Sequence, residues 1–280
     1  MLHATESDVR SAVAPAVAVA AVRDALTRPA DDPSSIAHVD GTHARALVTR
    51  HGDLTAVLAS GSSRGADGSL LTVFGPAGTI IAVIEADWLT RLAAAAAAAI
   101  AAGHLAPPGP QKVGIVGTGA LADAVAACLE TTLDVTATRR DDLADAQSAI
   151  RDATVVVTAT RSRDPVLRDD WLGTGICILA LGATRPDQRE LDYRTIVRAA
   201  TVITDAPAEA RLRAADLAET VATGHLDWLE VHALDELERG ELQPLRKPED
   251  VTIYKGVGTA RLALAVALPL IGSCPASEAR

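Results

Sequence analysis

The residues best suited to chemistry form a glycine-containing turn near the middle of this 280-residue chain. Residues 112–122 read Lys-Val-Gly-Ile-Val-Gly-Thr-Gly-Ala-Leu-Ala, which predicts a strand, a tight turn and the start of a helix. Gly117 allows the sharp turn, and Gly119 places no Cβ between the main chain and a pyrophosphate. Free amides at a helix start bind anions. An ordinary strand–helix turn is the alternative. The pattern predicts a dinucleotide site formed by Gly117, Thr118, Gly119, Ala120, Leu121 and Ala122.

Two arginines follow the next apolar run and bear on the choice of cofactor. Residues 133–138 predict a second strand, and Arg139 and Arg140 come directly after it. An NAD site usually has a carboxylate about twenty residues past the turn. A guanidinium instead matches the charge and geometry of the 2′-phosphate of NADP. Alternatively, the arginines only solvate a loop beside two aspartates. We predict that Thr138, Arg139 and Arg140 bind the cofactor and that NADP(H) is preferred over NAD(H).

Short apolar runs alternate with helical segments after the proline-rich residues 107–110. This alternation predicts a parallel sheet covered on both faces, with a domain boundary at the prolines. The predicted strands are 112–116, 133–138, 154–159, 176–181, 201–204 and 251–254. The predicted helical segments are 121–130, 143–151, 169–172, 191–197, 208–224 and 231–239.

The first third of the chain has a different pattern, typical of helices and β-hairpins. Residues 7–27 and 88–105 predict helices, and residues 61–68 predict a Gly/Ser-rich loop. A final apolar helix, 259–271, is expected to return to this first domain. The predicted hairpins pair 44–49 with 54–59 and 70–74 with 79–84.

Composition and charge narrow the classes of function. The formal net charge of −10 argues against general affinity for nucleic acid or anionic membranes. Cys128, Cys177 and Cys274 are far apart, so we expect buried free thiols and neither a metal site nor a disulfide framework. The longest apolar runs, 92–102 and 262–271, are too short to span a bilayer. These features predict a soluble, cytoplasmic protein.

Several further segments occur in the order found in one known family. These segments and the glycine turn together resemble the ornithine cyclodeaminase/mu-crystallin family over roughly residues 80–270. Each piece alone is unspecific, but the shared order is not. The segments are Val-Thr-Ala-Thr at 157–160, Asp-Pro-Val at 164–166, Leu-Gly-Ala-Thr-Arg-Pro at 181–186, Arg-Glu-Leu-Asp at 189–192 and Tyr-Lys-Gly-Val-Gly-Thr-Ala at 254–260.

The resemblance implies an α/β fold with two domains and a homodimer. A Rossmann-type doubly wound domain, 109–258, would hold NAD(P). A smaller α+β domain, 1–108 with the C-terminal helix 259–280, would bind substrate and dimerise. Family members oxidise an amino acid to an imine or reduce a ketimine, and cyclodeaminases then cyclise the product. By position, the nicotinamide end would be lined by Thr158, Ala159, Thr160, Leu181, Gly182, Lys255, Val257 and Gly258.

The chain departs from the family where substrate is bound. Residues 54–72 contain no lysine, although the family carries a substrate-binding lysine in that sheet. The family arginine that grips the substrate carboxylate aligns with Ala93, and Arg91 should lie on another face of the helix. Thr184 replaces the cyclodeaminase aspartate, and an aspartate usual in the last helix falls near Ala263. No family catalytic residue is therefore assigned.

The remaining polar candidates are weak, because surface arginines and histidines are common. Arginines in the first domain could bind a carboxylate, and histidines could act as acid or base. The arginine candidates are Arg45, Arg64 and Arg91, with Arg50 a further one, and the histidines are His38 and His43.

Three hypotheses about function follow. The first is an NAD(P)H-dependent oxidoreductase acting on a C–N or C=N centre of an amino acid or cyclic imino acid. The second is a protein of the same fold that binds NADPH without turnover, which the missing lysine and arginine favour. The third, ranked last, is a shikimate-dehydrogenase-like enzyme, which would need a catalytic lysine in the first domain. The sequence leaves open the substrate and the direction of reaction.

Overall fold

Five strands near the N-terminus form a mixed sheet in the computed structural model, which describes residues 1–28, 44–63, 66–244 and 247–272. The strand order is β1-β5-β4-β3-β2, and β1 pairs parallel to β5 while the other pairs are antiparallel. The strands are β1 (Leu2–Ala4), β2 (Arg45–His51), β3 (Leu54–Ser63), β4 (Ala66–Phe74) and β5 (Ile80–Glu85). The two predicted hairpins are present, whereas β1 was not predicted.

The Gly/Ser-rich stretch predicted as a loop is mostly strand. Residue pairing between β3 and β4 continues to Ser63 and Ala66. Main-chain hydrogen bonds hold such a ladder without apolar side chains, so composition alone misplaced the end of the hairpin.

The single N-terminal helix predicted for 7–27 is two helices. They are α1 (Glu6–Ala12) and α2 (Pro15–Leu26). Pro15 occupies the first turn of α2, where its missing N–H costs nothing. It therefore starts a new helix instead of continuing the first.

A long apolar helix, α3 (Asp87–Leu105), follows β5 as predicted. It is the one helix of the described residues that is long and apolar enough to cross a membrane, but two thirds of its most apolar stretch is buried inside the protein. Core helices show the same property, so this helix is weak evidence for a membrane span. The apolar run 92–102 identified in the sequence is only part of this 19-residue helix.

The rest of the chain builds a seven-stranded sheet in which every pair of strands is parallel. The order is β11-β10-β12-β9-β8-β6-β7. All residues of β8, β9 and β12 are buried, as expected for parallel strands covered on both faces. The strands are β6 (Gln111–Val116), β7 (Val135–Asp141), β8 (Val155–Thr158), β9 (Cys177–Ala180), β10 (Ala199–Thr204), β11 (Val231–Ala233) and β12 (Val251–Lys255).

The helix after β6 has the predicted length, but the later helices between these strands are shorter than predicted. The predicted helix 208–224 breaks at Ala214, whose ψ of 83° is not helical, and 231–239 begins with a strand that pairs with β10. The stretch 143–151 contains a 3-10 turn, Leu143–Asp145, before its short helix. The helices are α4 (Ala120–Glu130), α5 (Ala146–Ala149), α6 (Tyr193–Val197), α7 (Pro207–Arg213), α8 (Ala215–Ala222) and α9 (Leu234–Glu238), and the last helix of the chain is α10 (Ala260–Gly272).

The chain divides into two compact units. One comprises the described residues of Met1–Ala93 and Gly258–Arg280, and the other is Ala94–Val257. The division falls inside α3 and not at the proline cluster. Within the first unit α10 packs on α2, and the Arg261 guanidinium donates hydrogen bonds to carbonyls at the C-terminal end of α2. The roles of the units as substrate and dinucleotide domains remain predictions.

The topology of the parallel sheet creates a switch point beside β6. The chain leaves β6 for β7 on one side and then crosses to β8 on the other side. In open parallel sheets ligands bind outside the strand carboxyl ends at such a point. The predicted α/β architecture, a doubly wound parallel sheet with a second, smaller α+β unit, is confirmed.

Two of the three cysteines lie in described residues and are buried free thiols, as predicted. Burial raises the pKa of the Cys128 thiol to about 12, so it stays protonated near neutral pH. Cys274 lies outside the described residues.

Candidate dinucleotide site

The glycine turn lies at the carboxyl end of β6, at the switch point. The amide of Gly117 donates to the carbonyl of Asp141 at 2.8 Å, and the amide of Ala159 donates to Val116 at 2.9 Å. Gly117 has φ +135°, and a Cβ there would lie 2.5 Å from the carbonyl oxygen of Ala159. The protein itself therefore requires glycine at this position.

Gly119 occupies the N-cap of α4 and has different surroundings. Its φ is −84°, its ψ is 176°, and no heavy atom lies within 4 Å of a Cβ built on it. A glycine N-cap has no side chain to accept hydrogen bonds from the first amides of the helix. Ala122 in the first turn is fully buried, so its small side chain lets the helix approach the sheet. The open space beside Gly119 and these amides fit a pyrophosphate.

Arg140 braces the glycine turn, a role that the sequence did not indicate. Its Nε donates to the carbonyl of Gly117 at 2.9 Å, and its Nη2 donates to the carbonyl of Gly119 at 3.0 Å. Its Nη1 forms an ion pair with the carboxylate of Asp123 in the first turn of α4. This pairing offsets a negative charge that would otherwise oppose an anion at the helix start.

Both arginines lie within the edge strand β7, which continues to Asp141, and not directly after the strand as predicted, but the guanidinium of Arg139 is placed differently. Its Nη1 donates to the carbonyl of Arg151 at 3.0 Å, and the residue is exposed. Thr138, next to it, is also exposed. Of the two arginines expected to meet a 2′-phosphate, Arg139 is thus the one whose guanidinium does not brace the turn.

A single buried carboxylate, Glu190, joins the ends of β8 and β9. Its Oε1 accepts from the amide of Thr160 at 2.7 Å and from the Thr160 hydroxyl at 2.9 Å. Its Oε2 accepts from the amides of Gly182 at 2.8 Å and Ala183 at 3.0 Å. Glu190 is fully buried. The sequence pattern placed it in a family segment but gave it no role, because the contacts are with residues distant in the chain.

The ends of β8 and β9 approach so closely that only glycine fits at position 182. A Cβ on Gly182 would lie 2.0 Å from the carbonyl oxygen of Thr160 and 2.1 Å from its nitrogen. Gly182 therefore meets the main chain of Thr160, and the amide of Leu181 donates to the carbonyl of Thr158 at 2.9 Å.

Lys255, at the end of β12, has no exposed surface, and its ammonium lies 2.8 Å from Oδ2 of Asp216 and 4.0 Å from Oε2 of Glu190. The 2.8 Å contact is an ion pair, but its angles are not those of a hydrogen bond. Asp216, on α8, accepts through Oδ1 from the amides of Glu190 at 2.7 Å and Leu191 at 3.0 Å. Removing one partner from a buried pair of this kind costs about 3–5 kcal/mol, because a charge remains buried alone. The Lys255 side chain thus faces this network, and the predicted contact with cofactor would come from its main chain.

The turn after β12 is held by another carboxylate, that of Asp205. Oδ1 of Asp205 accepts from the amide of Val257 at 2.8 Å. Burial, and then the charge of Asp205, raises the pKa of the fully buried Tyr254 well above its usual value. Tyr254 therefore stays neutral, and its side chain packs close to Gly256. Val257 is in this way fixed relative to the end of β10.

The candidate substrate-binding arginines lie apart from these strand ends in sequence. In β2, Nε of Arg45 donates to the hydroxyl of Ser60 at 2.9 Å, and Arg50 is exposed. Arg91 is half-buried in α3 and makes no hydrogen bond or ion pair with another described residue. Ala93 is buried, so no guanidinium occupies the family position. The candidates Arg64, His38 and His43 lie outside the described residues.

Within the described part of the chain, no group of three or more His, Cys, Asp or Glu residues is arranged to hold a metal ion. The site therefore consists of a glycine turn, two arginines and three strand ends tied together by buried charges.

Comparison with known proteins places these features in a family. A sequence profile of the ornithine cyclodeaminase/mu-crystallin family matches residues 70–146 and 141–268. An alanine dehydrogenase of Archaeoglobus fulgidus is 28% identical over 208 residues, which is 67% of this chain and 64% of that protein. A Delta(1)-pyrroline-2-carboxylate reductase of Bacillus cereus is 26% identical over 214 residues, 68% of this chain and 66% of that protein. The match thus spans slightly less than two thirds of the length of these curated relatives.

A solved structure shows the same fold over nearly the whole chain. The Delta(1)-pyrroline-2-carboxylate reductase of Thermococcus litoralis, in complex with NADH and L-proline, superimposes with a TM-score of 0.88. The sequences are 19% identical, and the alignment covers 97% of each chain. At this identity the likeness establishes the fold.

The two glycines of the turn are expected to respond differently to alanine. Gly117→Ala should lower the free energy of unfolding by at least about 3 kcal/mol, because it adds both a disfavoured φ and a main-chain clash. Gly119→Ala should change it by no more than about 1 kcal/mol, since its φ is ordinary and its surroundings are open. Urea unfolding followed by circular dichroism measures both. Equal losses would contradict the geometry described for the turn.

Proposed function

The chain belongs to the ornithine cyclodeaminase/mu-crystallin family, and on that premise we propose that it is an NAD(P)H-dependent oxidoreductase. Its substrate would be an amino acid or cyclic imino acid, with reaction at the carbon–nitrogen centre. The observation that carries the proposal is the open glycine turn at the switch point, with a helix start free of side-chain capping. The curated relatives, named as an alanine dehydrogenase and a pyrroline-2-carboxylate reductase, support the reaction class.

Two sets of residues in this chain would bind different parts of the cofactor. The amides of 118–122 would hold the pyrophosphate at the start of α4. The main chain at Thr158–Thr160, Leu181–Gly182 and Lys255–Gly258 would shape the nicotinamide end. A bound nicotinamide dinucleotide supplies the redox chemistry, and the protein supplies position and orientation. We also propose a homodimer, as the family resemblance implies.

Arg139 supports a preference for NADP(H) over NAD(H). It lies near the end of β7, two residues before the last residue Asp141, in the region where NAD sites usually carry a carboxylate for the ribose hydroxyls. Arg140 is engaged with the glycine turn and the Asp123 carboxylate, so Arg139 would supply the contact to a 2′-phosphate. The Thermococcus litoralis reductase, which has the same fold, was solved with NADH, so this fold also accepts the cofactor without that phosphate.

A second candidate function, NADPH binding without turnover, is favoured by a specific feature. The three lysines of the chain are Lys112, Lys247 and Lys255, and none lies in the first unit. The family lysine that binds substrate therefore has no counterpart, and Ala93 replaces the carboxylate-binding arginine. If the chain is an enzyme, another group must hold the substrate carboxylate, and we propose Arg91 for this role because it is half-buried and has no partner among the described residues.

The purified protein should bind NADPH saturably, and Gly119→Ala should weaken that binding strongly while leaving the fold intact. The added Cβ would fill the open space where the main chain meets the pyrophosphate. Fluorescence titration of NADPH measures the affinity, and unfolding curves serve as the control. Absence of saturable binding by the unaltered protein, or unchanged affinity in Gly119→Ala, contradicts the proposed site.

Arg139→Met should weaken NADPH binding without affecting NADH. The loss of one charge-assisted hydrogen bond to phosphate corresponds to about tenfold to a hundredfold in affinity. Arg140→Met is the matched control, and it should weaken both cofactors because Arg140 braces the turn that both would use. Equal affinity of the unaltered protein for NADPH and NADH would instead show that Arg139 does not select the cofactor.

Turnover separates the enzyme from the non-catalytic alternative. With NADPH, a panel of cyclic ketimines, and of 2-oxo acids with amines, should produce a fall in absorbance at the nicotinamide band. Arg91→Met should then raise KM by about tenfold or more, because a bond to the substrate carboxylate is lost. Arg50→Met, an exposed arginine, is the matched control. NADPH binding without turnover of any compound on the panel would favour the non-catalytic function.

A further inference from the structure

Three adjacent strands, β12, β9 and β8, end on one buried cluster of charges. We refer to Glu190, Asp216 and Lys255 as the strand-end network. All three side chains are buried, and together they carry two carboxylates and one ammonium. Such a cluster is expensive to bury, so its position at the proposed ligand-binding edge of the sheet needs a physical reason.

The first link of the network is between β8 and β9. The Glu190 carboxylate accepts two hydrogen bonds from Thr160 and one each from the amides of Gly182 and Ala183, at 2.7–3.0 Å. Charge-assisted bonds of this kind are stronger than neutral ones, and together they fix the two strand ends against each other. Both ends lie where the nicotinamide half of the cofactor is proposed.

The second link brings β12 into the same network. Asp216 holds the main chain of Glu190 and Leu191 through one oxygen and faces the Lys255 ammonium with the other. Because Lys255 is the last residue of β12, this ion pair fixes the side chain immediately before the turn that begins at Gly256. The ammonium also lies 4.0 Å from the Glu190 carboxylate, so the positive charge of Lys255 faces the carboxylates of both links.

The network has no exposed surface through which its side chains could touch a ligand. We propose that Glu190, Asp216 and Lys255 are positioning residues that set the main chain around the nicotinamide half of the dinucleotide. This inference rests on the proposed function of the site. It assigns the buried lysine a role in the geometry of cofactor binding, without contact to the cofactor or substrate by its side chain.

The adenine half of the site is built from other groups. The glycine turn and β7 are held by Arg140, Asp123 and main-chain bonds at Gly117, and no member of the network takes part in those contacts. Substitutions in the network should therefore weaken binding of the nicotinamide half and leave binding of the adenine half unchanged. A loss that is merely structural would affect both halves together.

The experiment compares two ligands on the same variants. NADPH probes both halves and 2′,5′-ADP probes the adenine half, by fluorescence and calorimetric titration respectively. Asp216→Asn and Lys255→Met should each weaken NADPH binding by about tenfold or more, since displacements of about 1 Å have large functional cost. The affinity for 2′,5′-ADP should change by less than about twofold in the same variants, as expected for independent sites. Asp216→Asn retains an oxygen for the two amides, so it is the variant that should fold if Lys255→Met does not.

Two further variants sharpen the result. The double variant Lys255→Met/Asp216→Asn should lose no more NADPH affinity than either single variant, because the pair acts as one unit. Ile196→Val, a truncation in the core of the same unit, is the control for general loss of stability, and both affinities should be unchanged.

The outcomes distinguish the inference from the function on which it rests. Failure of the unaltered protein to bind either ligand overturns both. Normal binding by the unaltered protein, with unchanged NADPH affinity in folded Asp216→Asn, overturns the inference alone. Equal losses for NADPH and 2′,5′-ADP do so as well, because they show a global effect.

Discussion

The carboxylate of Glu190 is the interaction on which the carboxyl edge of the parallel sheet depends. Parallel strands expose unpaired amides where they end, and those amides must find acceptors once they are buried. Glu190 provides two oxygens that accept four hydrogen bonds from the ends of β8 and β9. Asp216 and Lys255 then anchor Glu190 and balance part of its charge. The close contact at Gly182 is possible because this carboxylate holds both chains in place.

The two glycines of the turn, Gly117 and Gly119, meet different physical demands. Gly117 is required by the protein, since its φ and the nearby Ala159 carbonyl leave no room for a side chain. Gly119 is not required by the fold, because its surroundings are open and its φ is ordinary. Under the proposed function, the glycine at this position leaves room for the pyrophosphate, and this distinction makes the turn an argument for function and not only for architecture. Arg140, on the adjacent strand β7, stabilises the turn by donating hydrogen bonds to its carbonyls.

The sequence predicted the strand–helix alternation well and predicted local breaks less well. Short runs with β-branched residues located six of the seven parallel strands, and the composition is clearest in β8, β9 and β12, whose residues are all buried. β11 was assigned to a helix, since its three residues become a strand only by pairing with β10. The break at Pro15 was missed although proline is a local signal, and the break at Ala214 has no signal in its side chain. For the candidate site, the sequence singled out the turn and both arginines, but it gave no role to Glu190 or Asp216.

The sequence by itself determined most of the strands and helices, the position of the glycine turn, and the absence of the lysine and arginine that the family resemblance leads one to expect in the substrate site. These properties depend on residue type and short spacing, which the chain carries locally. Only the tertiary structure decided which of two neighbouring arginines is engaged with the turn, and that Lys255 faces a buried pair of carboxylates. Those facts depend on contacts between residues tens of positions apart, and such contacts exist only once the strands have assembled side by side.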